Sequence, residues 1–444
     1  MATSCDVIVV GLGPGGEEVA GTLAESGLDV IGIEAELLGG ECPYWGCIPS
    51  KMMVRAADLL AEGRRIPGNA GTSVITPDWS PVAARIREAT DNWDDRAAVE
   101  RFVGKGGRFV RGRARVTGPG AVEVEGEIIR AGRALVLATG ASAWVPDLFD
   151  TVPHWTNREA IAADVLPASL LIVGGGAIGL ELGQAMARFG VAVTVVEMAD
   201  RILAPEEPEV SELMTEILRR EGLTIHTGVQ IERAEATGAT GCTLHLAGGT
   251  DLSADRLLVA TGRRSDLAAL GVGALGLDED ARAVPVDGHM RIQPGVWGVG
   301  DVTGQGAFTH VAMYQARICT ADILGRPIEE ADYRALPRVT FTDPEVGSVG
   351  LTEAQARRSG GEVRVMHEAV DKSARGWIHK GEGLVKLVEQ DGVLVGATAM
   401  APSGGEVLSL LTLAVHARVP VRTLKSMIYA YPTFHRAIDS ALWA

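Results

Sequence analysis

A chain of 444 residues with 41 Lys+Arg against 57 Asp+Glu carries a formal net charge of −16 at pH 7. Hydrophobic residues make up 46%, too many for a disordered chain, and no uncharged apolar run reaches the roughly 18 residues of a membrane span. The acidic balance argues against a nucleic-acid partner, because phosphate binding wants a basic face. At about 100–200 residues per domain, a soluble protein of several domains is expected, with neither a membrane nor a nucleic acid as partner.

The five cysteines (Cys5, Cys42, Cys47, Cys242, Cys319) are too few and too scattered for a disulfide framework. Thr3-Ser4-Cys5-Asp6 carries no basic stretch and runs into Val7-Ile8-Val9-Val10, which reads as a buried strand rather than a signal peptide. The cytoplasm is the expected compartment.

In chain order, the strand Val7 to Val10 ends in Gly11-Leu12-Gly13-Pro14-Gly15-Gly16. A helix over Glu17 to Ser26 follows, then a strand over Val30 to Ile33 closed by Glu34. The same order returns later. Leu170 to Val173 leads into Gly174-Gly175-Gly176-Ala177-Ile178-Gly179, a helix, and Val193 to Val196 closed by Glu197. First glycine and acid are 23 positions apart in both copies (34 − 11 and 197 − 174). Each copy reads as a strand–turn–helix–strand unit for a dinucleotide. Glycines let the backbone approach a pyrophosphate, the helix N-terminus faces its charge, and the acid accepts from a ribose hydroxyl.

Each unit is followed by an alternating, Gly-punctuated meander, Arg113 to Ile129 and Gln230 to Leu252. Each meander feeds an apolar strand ending in Ala-Thr-Gly, Leu135 to Gly140 and Leu257 to Gly262. From about Asp332 the pattern changes to strands (Glu362 to Val365, Gly383 to Val388, Val393 to Ala399) and then helices (Val407 to Ala417, Val421 to Met427). The expected fold class is α/β, two nested Rossmann-like dinucleotide-binding domains plus a C-terminal α+β module.

Between these elements lies Gly39-Gly40-Glu41-Cys42-Pro43-Tyr44-Trp45-Gly46-Cys47-Ile48-Pro49-Ser50-Lys51. Two cysteines five positions apart are compatible with a disulfide closing a tight loop, and equally with two buried structural thiols. Pro49-Ser50 reads as the start of a helix running to about Leu60. A thiol just upstream of that helix feels its positive end, and Lys51 adds charge, so Cys47 is a candidate low-pKa thiolate. No metal-ligand set is singled out.

This segment resembles the redox-active signature of the class I pyridine nucleotide–disulfide oxidoreductases, among them dihydrolipoamide dehydrogenase, glutathione reductase and mercuric reductase. The resemblance extends over nearly the whole chain. It takes in both Ala-Thr-Gly turns, Val299-Gly300-Asp301-Val302, and Phe341-Thr342-Asp343-Pro344-Glu345-Val346 at the opening of the C-terminal dimerisation domain. It implies an FAD-binding domain at 1–148 and 265–331, an NAD(P)-binding domain at 149–264, and a dimerisation domain at 332–444. It places FAD at Gly11, Gly13, Gly16, Glu34, Lys51, Thr139, Gly140 and Asp301. NAD(H), in preference to NADP(H), would sit at Gly174, Gly176, Gly179, Glu197 and Gly262, with Arg201 near enough to soften that preference. Hydride would pass from nicotinamide to flavin and electrons on to Cys47, while Cys42 exchanges with a small-molecule acceptor. Lys51 and Glu181 match an ion pair beside the flavin, and the enzyme would be a homodimer whose active site the second subunit completes.

Some positions depart from that pattern. Glu41 replaces a threonine, and Pro43-Tyr44-Trp45 replaces small aliphatics, an aromatic pair that would narrow the approach to the disulfide or simply pack. Tyr431 stands where the disulfide reductases carry the acid–base histidine, and Arg436 where they carry its glutamate. His435 would share a face with Tyr431 if that segment were helical. Mercuric reductases also have a tyrosine here but use a C-terminal cysteine pair, absent from Ser440-Ala441-Leu442-Trp443-Ala444. The expected activity is therefore NAD(P)H oxidation through a Cys42–Cys47 disulfide toward a non-standard acceptor: an unusual disulfide or thiol metabolite, a quinone or a metal ion. The alternatives are a dihydrolipoamide dehydrogenase with a relocated acid–base group and a non-catalytic, redox-sensing flavoprotein.

Overall fold

The computed structural model describes residues 3–444, and the chain divides into two compact units. The first gathers the residues up to Pro49 with Ala84–Trp144 and Gly262–Asp332. The second gathers Ser50–Ala83, Val145–Thr261 and Tyr333–Ala444.

In the first unit, Thr3–Val10 lies inside a sheet, parallel to Val30–Glu34 on one side and to Glu127–Leu137 on the other. Arg108–Arg111 and Val296–Gly298 extend the sheet in parallel, and Arg291–Gln293 closes one edge antiparallel. Val7 and Val9 pack with Leu12, Val19, Leu23 and Phe102 on one face; Ile8 and Val10 pack with Ile31, Ile33 and Leu135 on the other. Burial on both faces is why these strands read as continuous apolar runs rather than as alternations. The helix after the glycine turn runs Pro14–Glu25, three residues earlier than its expected start, because a proline's fixed φ suits a first helical turn.

The second unit holds a four-stranded parallel sheet in the order Thr224–His226, Ala192–Val196, Ser169–Val173, Arg256–Val259. It also holds a three-stranded antiparallel meander, Ile231–Thr237, Gly241–Leu246 and Thr250–Ala254. A five-stranded antiparallel sheet follows in the order Pro337–Thr340, Glu345–Gly350, Val393–Ala401, Leu384–Gln390, Val363–Ala369. Helices Gly404–His416 and Arg436–Trp443 bury Val407, Leu411, Ile438 and Leu442 against it. The mixed α/β architecture expected from the sequence is the one observed.

The two meanders join their parallel sheets differently. In the first unit the meander and the following apolar strand are one element, Glu127–Leu137, antiparallel to Ala121–Val124 at its start and parallel to Thr3–Val10 along its length. In the second the chain breaks at Asp255, whose carboxylate accepts from the Ser169 backbone N–H at 3.0 Å and from its hydroxyl at 2.9 Å.

Two buried cations knit the second unit. The Arg188 side chain, 4% exposed, meets Asp58, Glu221 and Asp343 at 2.6, 2.7 and 2.8 Å. The Lys386 ammonium meets Glu207, Glu209 and Glu353 at 3.0, 2.9 and 2.9 Å. A charge taken out of water persists only with such partners.

Candidate active site

The two glycine loops repeat each other bond for bond. The Gly11 N–H donates to the Ile33 carbonyl, and the Gly174 N–H to that of Val196. Glu34 accepts from the Leu12 and Glu36 N–H groups at 2.7 and 2.8 Å; Glu197 accepts from Gly175 and Ala199, both at 2.7 Å. Gly11 and Gly174 have φ of +89° and +112°, and a Cβ on either would fall 2.4 Å from a carbonyl oxygen of the following Ala-Thr-Gly strand. Only glycine fits there. Gly16 and Gly179 are as tightly placed, against the Gly11 and Gly174 carbonyls. Gly13 and Gly176 are the N-caps of their helices; a Cβ would meet only the Gly40 backbone, at 4.0 Å, on Gly13 and nothing on Gly176, and neither helix has a side-chain cap. The uncapped N–H groups and the open glycines together suit a pyrophosphate. Burial pushes the Glu34 carboxyl above its ordinary range, against the pull of its two backbone donors.

Thr139 and Gly140 follow the strand Glu127–Leu137, with Gly140 held through its carbonyl by the Ser265 hydroxyl at 2.8 Å. Gly262 takes the matching place after Arg256–Val259, and its carbonyl accepts from the Trp144 N–H. The Arg201 guanidinium donates to the Ala204 and Glu206 carbonyls at 2.7 and 3.3 Å. It is thus held by backbone close to Glu197 in sequence.

The dithiol segment differs from the expected loop. Glu41–Trp45 is a one-turn helix, and the next helix, Cys47–Arg64, takes Cys47 as its first residue. The sequence pattern puts that thiol just upstream of the helix, and the structure draws it into the first turn. Cys42 hydrogen-bonds Cys47; that bond and burial push the Cys42 thiol well above its ordinary range, and negative charge on Cys47 pushes the same way. The Cys42 thiol is therefore disfavoured as a thiolate. The Thr309 hydroxyl lies 3.5 Å from the Cys47 sulfur and opposes the shift at Cys42. Of the aromatic pair in this segment, Tyr44 is buried and Trp45 stacks on Trp93, so both pack into the fold.

Asp301 is largely buried, which raises its carboxyl, while Arg263 pulls it down from 3.6 Å. Arg263 also reaches Glu41 at 3.5 Å, so the departure from threonine places a second carboxylate on the same guanidinium. In the second unit Lys51 and Glu181 meet at 2.7 Å, and the other Glu181 oxygen accepts from the Phe341 N–H at 2.8 Å.

Tyr431 and His435 do not share a helix face. Residues 431–435 form turns, the Tyr431–Pro432 bond is cis, and the last helix begins at Arg436 with His435 as its N-cap. Tyr431 is 73% exposed. Arg436 pairs with Asp439 on its own helix at 3.0 Å.

Arg263, Thr309, Trp93 and Asp95 were not read from the sequence. Arg263 directly follows Ala-Thr-Gly, a position that could have marked it; nothing local distinguishes the other three.

Residues 5–316 match the family described as pyridine nucleotide-disulphide oxidoreductase, and residues 336–442 match its dimerisation domain. A dihydrolipoyl dehydrogenase of Rhizobium etli is 30% identical over 100% of this chain and 98% of its own length. A mercuric reductase of Streptomyces lividans is 31% identical over 99% of this chain and 96% of its own. Among solved structures, the Cu(II) complex of the HOCl-induced flavoprotein disulfide reductase RclA from Escherichia coli superposes with a TM-score of 0.86 at 25% identity, covering 100% of this chain and 99% of that one. The paired glycine loops and the neighbouring thiols of this chain are those of an oxidoreductase, and the chain belongs to the class I pyridine nucleotide-disulfide oxidoreductase family.

Proposed function

We propose that this chain oxidises NADH through FAD and a Cys42–Cys47 disulfide, and delivers the electrons to an acceptor other than lipoamide or glutathione disulfide. The observation that carries this reading is the hydrogen-bonded Cys42–Cys47 pair, alongside an exposed Tyr431 at the place that the resemblance gives to the acid–base histidine.

The residues fit the two dinucleotides. Gly11, Gly13, Gly16, Glu34, Thr139, Gly140 and Asp301 would hold FAD, with Lys51 steadied by Glu181. Gly174, Gly176, Gly179, Glu197 and Gly262 would hold NADH. Bound flavin would supply hydride acceptance and an electron pair for the disulfide, which takes up one proton as its S–S bond opens. Cys47 then carries the thiolate charge, Cys42 keeps its proton, and Thr309 donates a hydrogen bond to the sulfurs.

Reducing an external disulfide needs one thing more. The leaving thiolate must be protonated, and a positioned acid contributes roughly 10²–10⁴-fold. A phenol with pKa near ~10 gives and retakes that proton poorly at neutral pH. A metal ion takes up electrons without a proton, and a quinone can do so one electron at a time as its semiquinone anion; the names of the mercuric reductases and of the RclA copper complex support a metal ion as acceptor. The match to a dimerisation domain, with Leu413, Ile428 and Trp443 exposed on that region, supports a homodimer. No described helix is long and apolar enough to cross a membrane; we assign the enzyme to the cytoplasm.

The test is NADH oxidation by the holoenzyme with lipoamide, glutathione disulfide, a benzoquinone, Cu(II) and Hg(II). Slow disulfide reduction with brisk quinone or metal turnover supports the reading, and Tyr431→His should raise the lipoamide rate. Fast wild-type lipoamide turnover that collapses in His435→Ala overturns it in favour of a relocated acid.

A further inference from the structure

We propose that Trp93 is a positioning residue for the dithiol, capping the short helix that carries Cys42; this rests on the redox reading of the Cys42–Cys47 pair given above. The helix Glu41–Trp45 has five residues, an N-cap Gly40 without a side-chain bond, and a C-cap Gly46. One turn cannot hold itself, and its last carbonyls have no partner within the helix. Where Cys42 sits therefore depends on what grips the helix from outside.

The grip comes from 93–95. The Trp93 indole N–H donates to the Tyr44 carbonyl at 3.3 Å, and its ring stacks on Trp45 with centroids 5.1 Å apart and planes 16° from parallel. Two residues on, the buried Asp95 carboxylate accepts from the Leu38 N–H at 2.7 Å and is paired with Arg111. One short segment thus holds the chain on both sides of Cys42, at Leu38 and at Tyr44–Trp45.

The backbone that delivers Trp93 is strained. Asp91, Asn92 and Trp93 have φ of +49°, +53° and +59°, three successive non-glycine residues in the left-handed region. Asp and Asn tolerate that region; a bulky indole does not. Such strain persists only where the surroundings over-determine it, and it gathers at sites where a position matters. Here it places one indole against the redox helix. The aromatic pair Tyr44-Trp45 supplies both the carbonyl and the ring that Trp93 engages.

The consequence is an effective concentration. Forming the disulfide joins the Cys42 and Cys47 sulfurs with loss of two electrons and of the proton that Cys42 holds, and it is favoured in proportion to how well Cys42 is held against Cys47. Glutathione reads this directly: protein dithiol plus glutathione disulfide gives protein disulfide plus two glutathiones. Holoenzyme is equilibrated in glutathione redox buffers, alkylated, and its Cys42–Cys47 state read by mass spectrometry. Trp93→Ala should make the disulfide about tenfold less favourable, a rise of about 30 mV in the two-electron potential. Trp93→Phe, which keeps a stacking ring without the N–H, should fall between, with the disulfide about two- to threefold less favourable than in wild type. An unchanged equilibrium in Trp93→Ala together with a lowered melting temperature overturns the proposal, since Trp93 would then only pack. Should Trp93→Ala not fold, Trp93→Phe decides alone: a shift of about twofold or more supports positioning, and none overturns it. A wild-type protein that forms no Cys42–Cys47 disulfide in the same buffers instead sinks the redox reading itself.

Discussion

The Glu181 carboxylate receives the Lys51 ammonium at 2.7 Å on one oxygen and the Phe341 backbone N–H at 2.8 Å on the other. Glu181 is 5% exposed, and the Lys51 ammonium also lies 4.7 Å from the Phe341 ring centroid. One buried acid thus ties the helices Ala177–Arg188 and Cys47–Arg64 to the start of the C-terminal sheet. Glu181→Ala leaves a buried N–H and a partly buried ammonium without their acceptor and should cost about 2–4 kcal/mol in urea unfolding. Glu181→Gln keeps an acceptor for Phe341 and should cost about half as much. Equal losses in the two variants would show that the Phe341 bond contributes nothing.

Arg188 should be still less replaceable. Arg188→Ala strands three carboxylates and should lose about 3–5 kcal/mol. The pH dependence separates its partners. Burial raises the Asp343 carboxyl, but Arg188 and Arg65 outweigh it and hold the group below its usual value, so its contribution is present above about pH 4 and is lost as pH falls. Burial pushes Asp58 up to about 6 despite Arg188. Its folded form therefore binds a proton first, and stability from this group is lost as pH rises from about 4 to 6. Asp58→Asn should accordingly gain urea midpoint over wild type at pH 7 and gain little at pH 4. A constant difference at the two pH values would refute the assignment.

NADH should be the preferred donor. Glu197 is folded back onto the Gly175 and Ala199 N–H groups; in the proposed site it would accept from a ribose 2′-hydroxyl and repel a 2′-phosphate. The neighbouring Arg201 is occupied by the Ala204 and Glu206 carbonyls. Glu197→Gln should raise kcat/KM for NADPH roughly tenfold with a smaller change for NADH. Equal wild-type kcat/KM for both donors would overturn the preference.

The two thiols should be spectroscopically unequal. In the half-reduced holoenzyme a long-wavelength absorbance from a thiolate against the flavin is expected. It should persist in Cys42→Ser and vanish in Cys47→Ser, because the Cys42 thiol is disfavoured as a thiolate. An absorbance that survives loss of Cys47 would reverse the assignment.

The sequence by itself determined the repeated frame. Gly11 with Glu34 and Gly174 with Glu197 are close along the chain, and a left-handed glycine or an acid folded onto a glycine loop is encoded by residues within one strand–turn–helix–strand unit. The dithiol was legible for the same reason, and Lys51 with Glu181 through resemblance alone. Tertiary structure decided the rest, because backbone between elements sets distances that spacing cannot. It made Cys47 the first residue of its helix and turned residues 431–435 away from the helix that would have aligned Tyr431 with His435. It brought Arg263 between Glu41 and Asp301, 222 and 38 positions away by their numbers (263 − 41 and 301 − 263), and Trp93 onto Trp45, 48 positions away (93 − 45). No periodicity marks such partners, since each is selected by shape and charge complementarity that exists only once separate elements have packed.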